Sequence, residues 1–329
     1  MKKSLRALPV TLFFLAAAGV GLVGFDPAHG SLRTHDTLGL QFMETGNPNG
    51  AQADGSGIAE TKPVKKVDLV LLGSGNPGDP GRSGPFKLGF LIELEPDWHV
   101  YWANPGDAGL APSARWTLPP GFKAGPLQYP VPRKSVEEDI VSFEHEGPVL
   151  LICDITPAES TRLRDEWEAA AVLEWMACRE SCITGETAVR TVYPPDAAAL
   201  EKGRSLLKIF APRFPRPLSA AGLSVDTARA ELSGAEWRVE IVLTGPRAAE
   251  AGDFFPYPLD DFVIAHSRIT CRGGRIIVPL TPSRGPGAPP PQAIRGLVII
   301  DGAGYEVAVP VDPRHLVPSL ELNPFLSWR

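Results

Sequence analysis

The sequence predicts an all-β chain: two immunoglobulin-like β-sandwich domains joined by a short helix and a Pro-rich linker. Glycine (33) and proline (35) supply 68 of the 329 residues. That is turn-rich but below the roughly 25–30% of a low-complexity chain. Apolar residues recur with period two in several short runs, the pattern of half-buried strands. Turn-forming clusters separate those runs, and many short strands at such spacing favour a sandwich.

Taken in order, the first thirty residues read as a signal peptide. Lys2, Lys3 and Arg6 precede the uncharged, largely apolar run Ala7 to Phe25, and Ala28-His29-Gly30 offers small residues before a cut at Ser31. The rival reading is an uncleaved membrane anchor, since the run approaches bilayer-spanning length. The polar, Gly/Asn/Ser-rich residues 31–64 read as a flexible leader. Residues 65–195 form the first predicted sandwich. There Phe86, Leu88, Phe90, Ile92 and Leu94 alternate with Lys87, Gly89 and Glu93, and Trp98, Val100 and Trp102 repeat the pattern. Further strands are expected over 114–118, 149–155, 171–178 and 187–193. Asn104-Pro105-Gly106-Asp107 and Pro119-Pro120-Gly121 mark turns.

After Pro194-Pro195, Asp196 is placed to cap a helix running to Phe210, with Leu200, Leu207 and Phe210 on one face. Residues 196–217 are this helix and linker. Residues 218–315 carry a second alternating series (Trp237, Val239, Ile241, Leu243, then runs at 275–280, 297–300 and 305–311), and 316–329 reads as a tail. No sequence repeat relates the two halves.

Loss of residues 1–30 would remove three basic residues and one acidic one, taking the net charge from −6 to −8. Such an acidic chain is a poor match for nucleic acid or an anionic membrane surface. The six histidines are scattered, without an HxxxH or CxxC spacing, so no metal site is expected. Three methionines are too few for a copper-handling cluster. No phosphate-loop, dinucleotide or GxSxG motif occurs, and no cofactor is expected. His99 reads as an outward strand residue, His145 as a solvated loop residue, and Glu137-Glu138-Asp139 as a solvated loop.

Four cysteines remain, at 153, 178, 182 and 271, and three pairings are possible. Cys178 ends one strand candidate and Cys182 lies before the next, so three residues between them can make a hairpin tip that brings the sulfurs within bonding reach. A ring this small removes little entropy from the unfolded chain, so it is a weak staple. At an exposed turn it suits thiol–disulfide exchange, with Arg179 favouring a thiolate and Glu180 opposing it. A local structural bridge in a secreted domain is the alternative. Cys153 sits in an apolar run and reads as a buried free thiol; a bond from it to Cys271 would cross the two domains.

These residues lie within a larger pattern. The segments Trp98 to Leu110 (with Trp116 beyond), Glu146 to Leu151, and Trp175 to Glu186 occur in the order found in one family. Residues 67–194 resemble the amino-terminal periplasmic domain of DsbD and ScsB-type protein-disulfide reductases, and the helix and second β region resemble the ScsB-like branch. The resemblance implies an immunoglobulin-like electron relay. Its redox pair would be Cys178 and Cys182, with Cys182 forming the mixed disulfide and Cys178 resolving it. It also implies a membrane-embedded thiol transporter as electron donor and thioredoxin-like or other disulfide-bearing exported proteins as acceptors. The chain would then be a thiol–disulfide oxidoreductase component in the periplasm, its second domain helping to dock partners. Thr184 stands where the family often has proline. An aromatic cap loop would fall near Tyr129 to Val136, although Tyr129 itself reads as an ordinary sandwich aromatic. No multi-span segment or CxxC follows the second β region, so the expected donor is a separate protein. The alternative is a non-enzymatic exported binding module with a structural Cys178–Cys182 bridge.

Overall fold

The computed structural model describes residues 62–72, 86–157, 166–285 and 287–313. The expected signal peptide, the leader up to residue 61 and the tail lie outside them. No helix among the described residues is long and apolar enough to cross a membrane.

Ten strands build the first sandwich: β1 (Val64–Leu72), β2 (Phe86–Leu94), β3 (His99–Gly106), β4 (Ser113–Thr117), β5 (Lys123–Gln128), β6 (Arg133–Glu137), β7 (Ile140–Glu146), β8 (Val149–Thr156), β9 (Trp167–Cys178) and β10 (Cys182–Tyr193). One sheet has the order β1-β2-β8-β5. The other runs β10-β9-β3-β7-β6, with β4 also paired to β9. The alternation seen in the sequence places Leu88, Phe90 and Ile92 of β2 and Leu151, Cys153 and Ile155 of β8 in the core, facing Val100, Leu173 and Ala177 of the opposite sheet.

On the other face of the β1-β2-β8 sheet, Val70, Leu72, Leu91, Leu150 and Ile152 form a second apolar layer. The helix α1 (Ala197–Phe210) covers it with Leu206, Leu207 and Phe210. Burying a side chain such as Phe210 stabilises by roughly 1.5–3 kcal/mol. Asp196 caps the helix as expected, accepting from Ala199 N–H at 2.7 Å. Gly203 is the contact point: a Cβ there would lie 2.0 Å from the Leu71 carbonyl. Asp68 on β1 pairs with Lys202 of α1 and with Lys66. Desolvation opposes its charge, but the two ammonium groups outweigh that and hold its pKa below the ordinary value.

The second sandwich follows with β11 (Arg216–Pro217), β12 (Ser224–Ser233), β13 (Glu236–Thr244), β14 (Asp253–Pro256), β15 (Phe262–Ile264), β16 (Thr270–Arg272), β17 (Arg275–Pro282), β18 (Ala293–Ile300), β19 (Ala303–Pro310) and β20 (Asp312–Pro313). Its sheets are β11-β19-β18-β14 and β15-β17-β13-β12-β20, with β16 also on β17. Val239, Ile241, Ile276, Val278, Val298 and Val307 are among the residues that fill its core.

The two sandwiches share a buried seam. Trp102 and Phe143 of the first meet Tyr257 and Phe255 of the second, each pair with ring centroids 4.8 Å apart. A closed polar network crosses the same seam. Asn104 donates to the Pro256 carbonyl at 2.9 Å and to His266 Nε2 at 3.1 Å, which puts the histidine proton on Nδ1, facing Asp107 Oδ1 at 2.8 Å. The Asn104 carbonyl oxygen accepts from Gly106 N–H, and Asp107 Oδ2 accepts from Val141 N–H.

Three local expectations change. Asn104-Pro105-Gly106 does not turn but continues β3, because Gly106 pairs with Ser142 of β7. Residues 133–137 form a strand rather than a cap loop. His145 is not solvated: it lies on the interior strand β7 opposite Val100, 7% exposed, with Nε2 unpartnered. Burial pushes its pKa down to about 3.

Two outcomes follow. His266→Ala leaves the buried Asn104 amide short of a partner in the seam, and is expected to lower unfolding stability by about 1–3 kcal/mol in urea titrations. His145 binds its proton in the unfolded chain near 6.5 but in the folded chain only near 3. Its contribution is therefore complete above pH 6.5 and lost as pH falls from 6.5 toward 3, at up to about 1.4 kcal/mol per pH unit. His145→Leu is expected to flatten the stability difference between about pH 7 and about pH 4.5 in the same titrations.

Candidate functional site

β9 and β10 form a long hairpin whose register places Cys178 directly opposite Cys182. The two are bonded, with S–S 2.03 Å and Cα atoms 4.1 Å apart. Arg179, Glu180 and Ser181 make the tip, closed by Arg179 N–H donating to the Ser181 carbonyl at 3.1 Å. The expected strand from 187 in fact begins at Cys182, so both cysteines stand on paired strands rather than in a loose turn.

The two sulfurs have different surroundings. Cys178 is 3% exposed, on an interior strand with β10 on one side and β3 on the other and His99 opposite it. Cys182 is exposed, because β10 is the outer strand of its sheet. Residues 169, 171, 173 and 177 of β9 point into the core. By the period of two, 174, 176 and 178 then share the outward face with 182, 184 and 186 of β10.

Charged groups stand beside this face. His99 is an outward strand residue, as expected, with Nε2 3.6 Å from the buried Glu144 carboxylate. Glu144 accepts from Arg133 at 3.0 Å, and Arg133 also pairs with Glu146. Arg179, expected between the sulfurs as a thiolate-favouring charge, lies with its guanidinium 5.2 Å from the centre of the Trp98 ring. Glu180 is exposed at the tip.

A groove of about 480 Å³ runs along the hairpin, lined by Leu110, Ala111, Met176 and Thr184 with Glu174 and Glu186 among others. It exists because β9 changes partners: β3 pairs with it at Ala177 and Cys178, and β4 takes over from Glu174. The connecting loop forms the wall. Gly109 adopts φ +101°, and a Cβ there would lie 2.4 Å from the Tyr101 ring. Tyr129 donates to the Pro112 carbonyl at 2.6 Å and packs on the sandwich core, as an ordinary core aromatic. Burial pushes its hydroxyl up to about 12.

Cys153 and Cys271 are free thiols, the first in the core of sandwich one and the second packed on the core of sandwich two. No bond joins them. Cys153 donates to the Gly125 carbonyl at 3.2 Å and Cys271 to that of Ala251 at 3.3 Å. Burial, with Asp154 and Asp253 respectively adding to it, pushes both up to about 11. Among the described residues, no three His, Cys, Asp or Glu side chains cluster as metal ligands.

Sequence reasoning found the cysteine pair but missed that His99 is the cross-strand neighbour of Cys178 and that Leu110 walls the groove. The alternation of β3 carried His99's outward direction; nothing local carried which strand would lie beside it.

Fold and site together define an immunoglobulin-like sandwich that carries a disulfide at a hairpin end. Residues 79–194 match the family model "Thiol:disulfide interchange protein DsbD, N-terminal". This part of the chain is similar to the N-terminal domain of DsbD-type thiol:disulfide interchange proteins. Among solved structures, the N-terminal periplasmic domain of ScsB from Proteus mirabilis is similar with a TM-score of 0.52 and 17% identity, over 70% of this chain and 90% of that one. The E. coli chaperone DraB aligns over 71% of this chain and 91% of its own at 11% identity, with a TM-score of 0.13. No curated protein matches the chain.

After reduction of the native protein, iodoacetamide at about pH 8 is expected to modify Cys182 first and leave Cys153 and Cys271 unmodified, since it attacks only accessible thiolates. Peptide mass spectrometry checks this order.

Proposed function

We propose that the chain is an exported thiol–disulfide exchange protein. It takes electrons from a membrane-embedded thiol transporter and passes them through Cys178 and Cys182 to disulfides of periplasmic acceptors. The observation that supports this reading is the asymmetry of the pair, Cys182 an exposed residue on the outer strand and Cys178 a buried one on the strand beside it. An incoming thiolate attacks the exposed Cys182, and Cys178, on the strand between β10 and β3, is the sulfur it expels.

In the first half-reaction the donor thiolate attacks Cys182 Sγ and Cys178 leaves as a thiolate. The donor's second thiol then attacks its own sulfur in the mixed disulfide and releases Cys182. Two electrons and two protons have entered the pair. In the second half-reaction the Cys182 thiolate attacks the acceptor disulfide, and Cys178 attacks Cys182 Sγ, expelling the reduced acceptor and restoring the Cys178–Cys182 bond. No organic cofactor or metal takes part in either step. The DsbD-type match over residues 79–194 supports the chemistry, and the similarity to the periplasmic domain of ScsB supports the location.

Cys178→Ala is expected to accumulate a mixed disulfide between Cys182 and a thioredoxin-like acceptor, seen as a reducible band on non-reducing gels. Cys182→Ala should accumulate none. A bridge that stays oxidised in the presence of reduced thioredoxin-like protein, with a reduction potential below about −300 mV, would make it a structural staple instead.

A further inference from the structure

The disulfide does not stand alone on its face of the hairpin. The cross-strand pairs that share that face are Cys178 with Cys182, Met176 with Thr184, and Glu174 with Glu186. Strands rise about 3.3 Å per residue, so these pairs are spaced roughly 7 Å apart. The groove of about 480 Å³ lies over the second and third pairs, with Leu110 and Ala111 as its wall. Leu110 is 58% exposed, a large apolar side chain held in solvent by a loop with little freedom to move. That loop is anchored at one end by Asp107 to His266 and Val141, and at the other by Tyr129 to Pro112. At the far end, Glu174 and Glu186 share the single guanidinium of Arg115, which leaves one carboxylate charge without a counter-ion in the cluster.

We propose that this groove is a specificity subsite for the acceptor polypeptide. It seats the extended segment beside the acceptor's reacting cysteine, taking an apolar side chain about two residues from that cysteine between Leu110 and Met176, and a basic one about four residues away at Glu174 and Glu186. The inference rests on the exchange function proposed above. The occupant follows from position and charge. A chain whose sulfur is bonded to Cys182 must leave it in some direction, and on this face the open direction is an apolar trough that ends in net negative charge. In turnover, the two cysteine thiols are oxidised to the Cys178–Cys182 disulfide and the acceptor disulfide is reduced to two thiols, with two electrons and two protons transferred.

The test uses the full chain in reduced form and synthetic peptides in which one cysteine is capped as a mixed disulfide. One peptide carries Leu two residues from the cysteine and Lys four residues away; a second carries Asp at both positions. The expected result is at least a tenfold faster reduction of the Leu/Lys peptide. Dithiothreitol should not discriminate, and added salt should narrow the difference. Leu110→Ser is expected to erase most of the preference for Leu while leaving exchange with glutathione disulfide, too small to need the groove, unchanged. Equal rates for the two peptides, or an equal loss with glutathione disulfide in Leu110→Ser, would overturn the subsite while exchange itself stands. No exchange even with glutathione disulfide would overturn the function on which it rests.

Discussion

The register of one hairpin governs the chemistry of this protein. Side chains on a strand alternate with a period of two, so pairing Cys178 with Cys182 commits every other residue of β9 and β10 to a face. Ala169, Ala171, Leu173 and Ala177 are thereby buried in the sandwich, and Met176, Glu174 and the disulfide face outward. A slip of one residue would drive Glu174 into a core that contains only apolar side chains at that level. The cost of burying that charge fixes the register that puts the disulfide on the outward side of the sheet.

Neighbouring strands then make the two sulfurs unequal. β9 is an interior strand and β10 an outer one, and the same covalent bond joins a buried residue to an exposed one. No local feature of Cys178 or Cys182 distinguishes them in this way. The distinction comes from β3, which arrives from more than seventy residues earlier and lays His99 beside Cys178. Because β3 yields to β4 further along β9, the same arrangement opens the groove and gives it a wall.

The second sandwich holds the end of β3. His266 and Pro256 bind Asn104 and Asp107 at the end of β3, where the groove-walling loop begins. Their hydrogen bonds are mutually satisfied within an aromatic seam, and a satisfied buried network is stiff because every alternative arrangement leaves a polar group unpaired. The helix on the opposite side of the first sandwich acts similarly, with Gly203 allowing it to lie close against β1.

Much of this was legible in the sequence where the signal is local. The alternation from Phe86 to Leu94 defined a strand, Asp196 a helix start, and the spacing of Cys178 and Cys182 a hairpin end, each through the geometry of a few consecutive residues. The polar strands β5 and β6 escaped notice because they lie at sheet edges with little apolar pattern; pairing with β8 and β7, rather than composition, makes them strands. His145 was misread for the same reason: burial follows from the strands on either side of it, not from the residue. Sequence alone thus determined the strands that carry an apolar alternation, the apolar face of each, and that Cys178 and Cys182 can meet, since each follows from short-range periodicity. Tertiary structure decided which cysteine is exposed, what stands beside the pair and where the groove opens, since these depend on partners distant along the chain, and a one-dimensional pattern does not encode them.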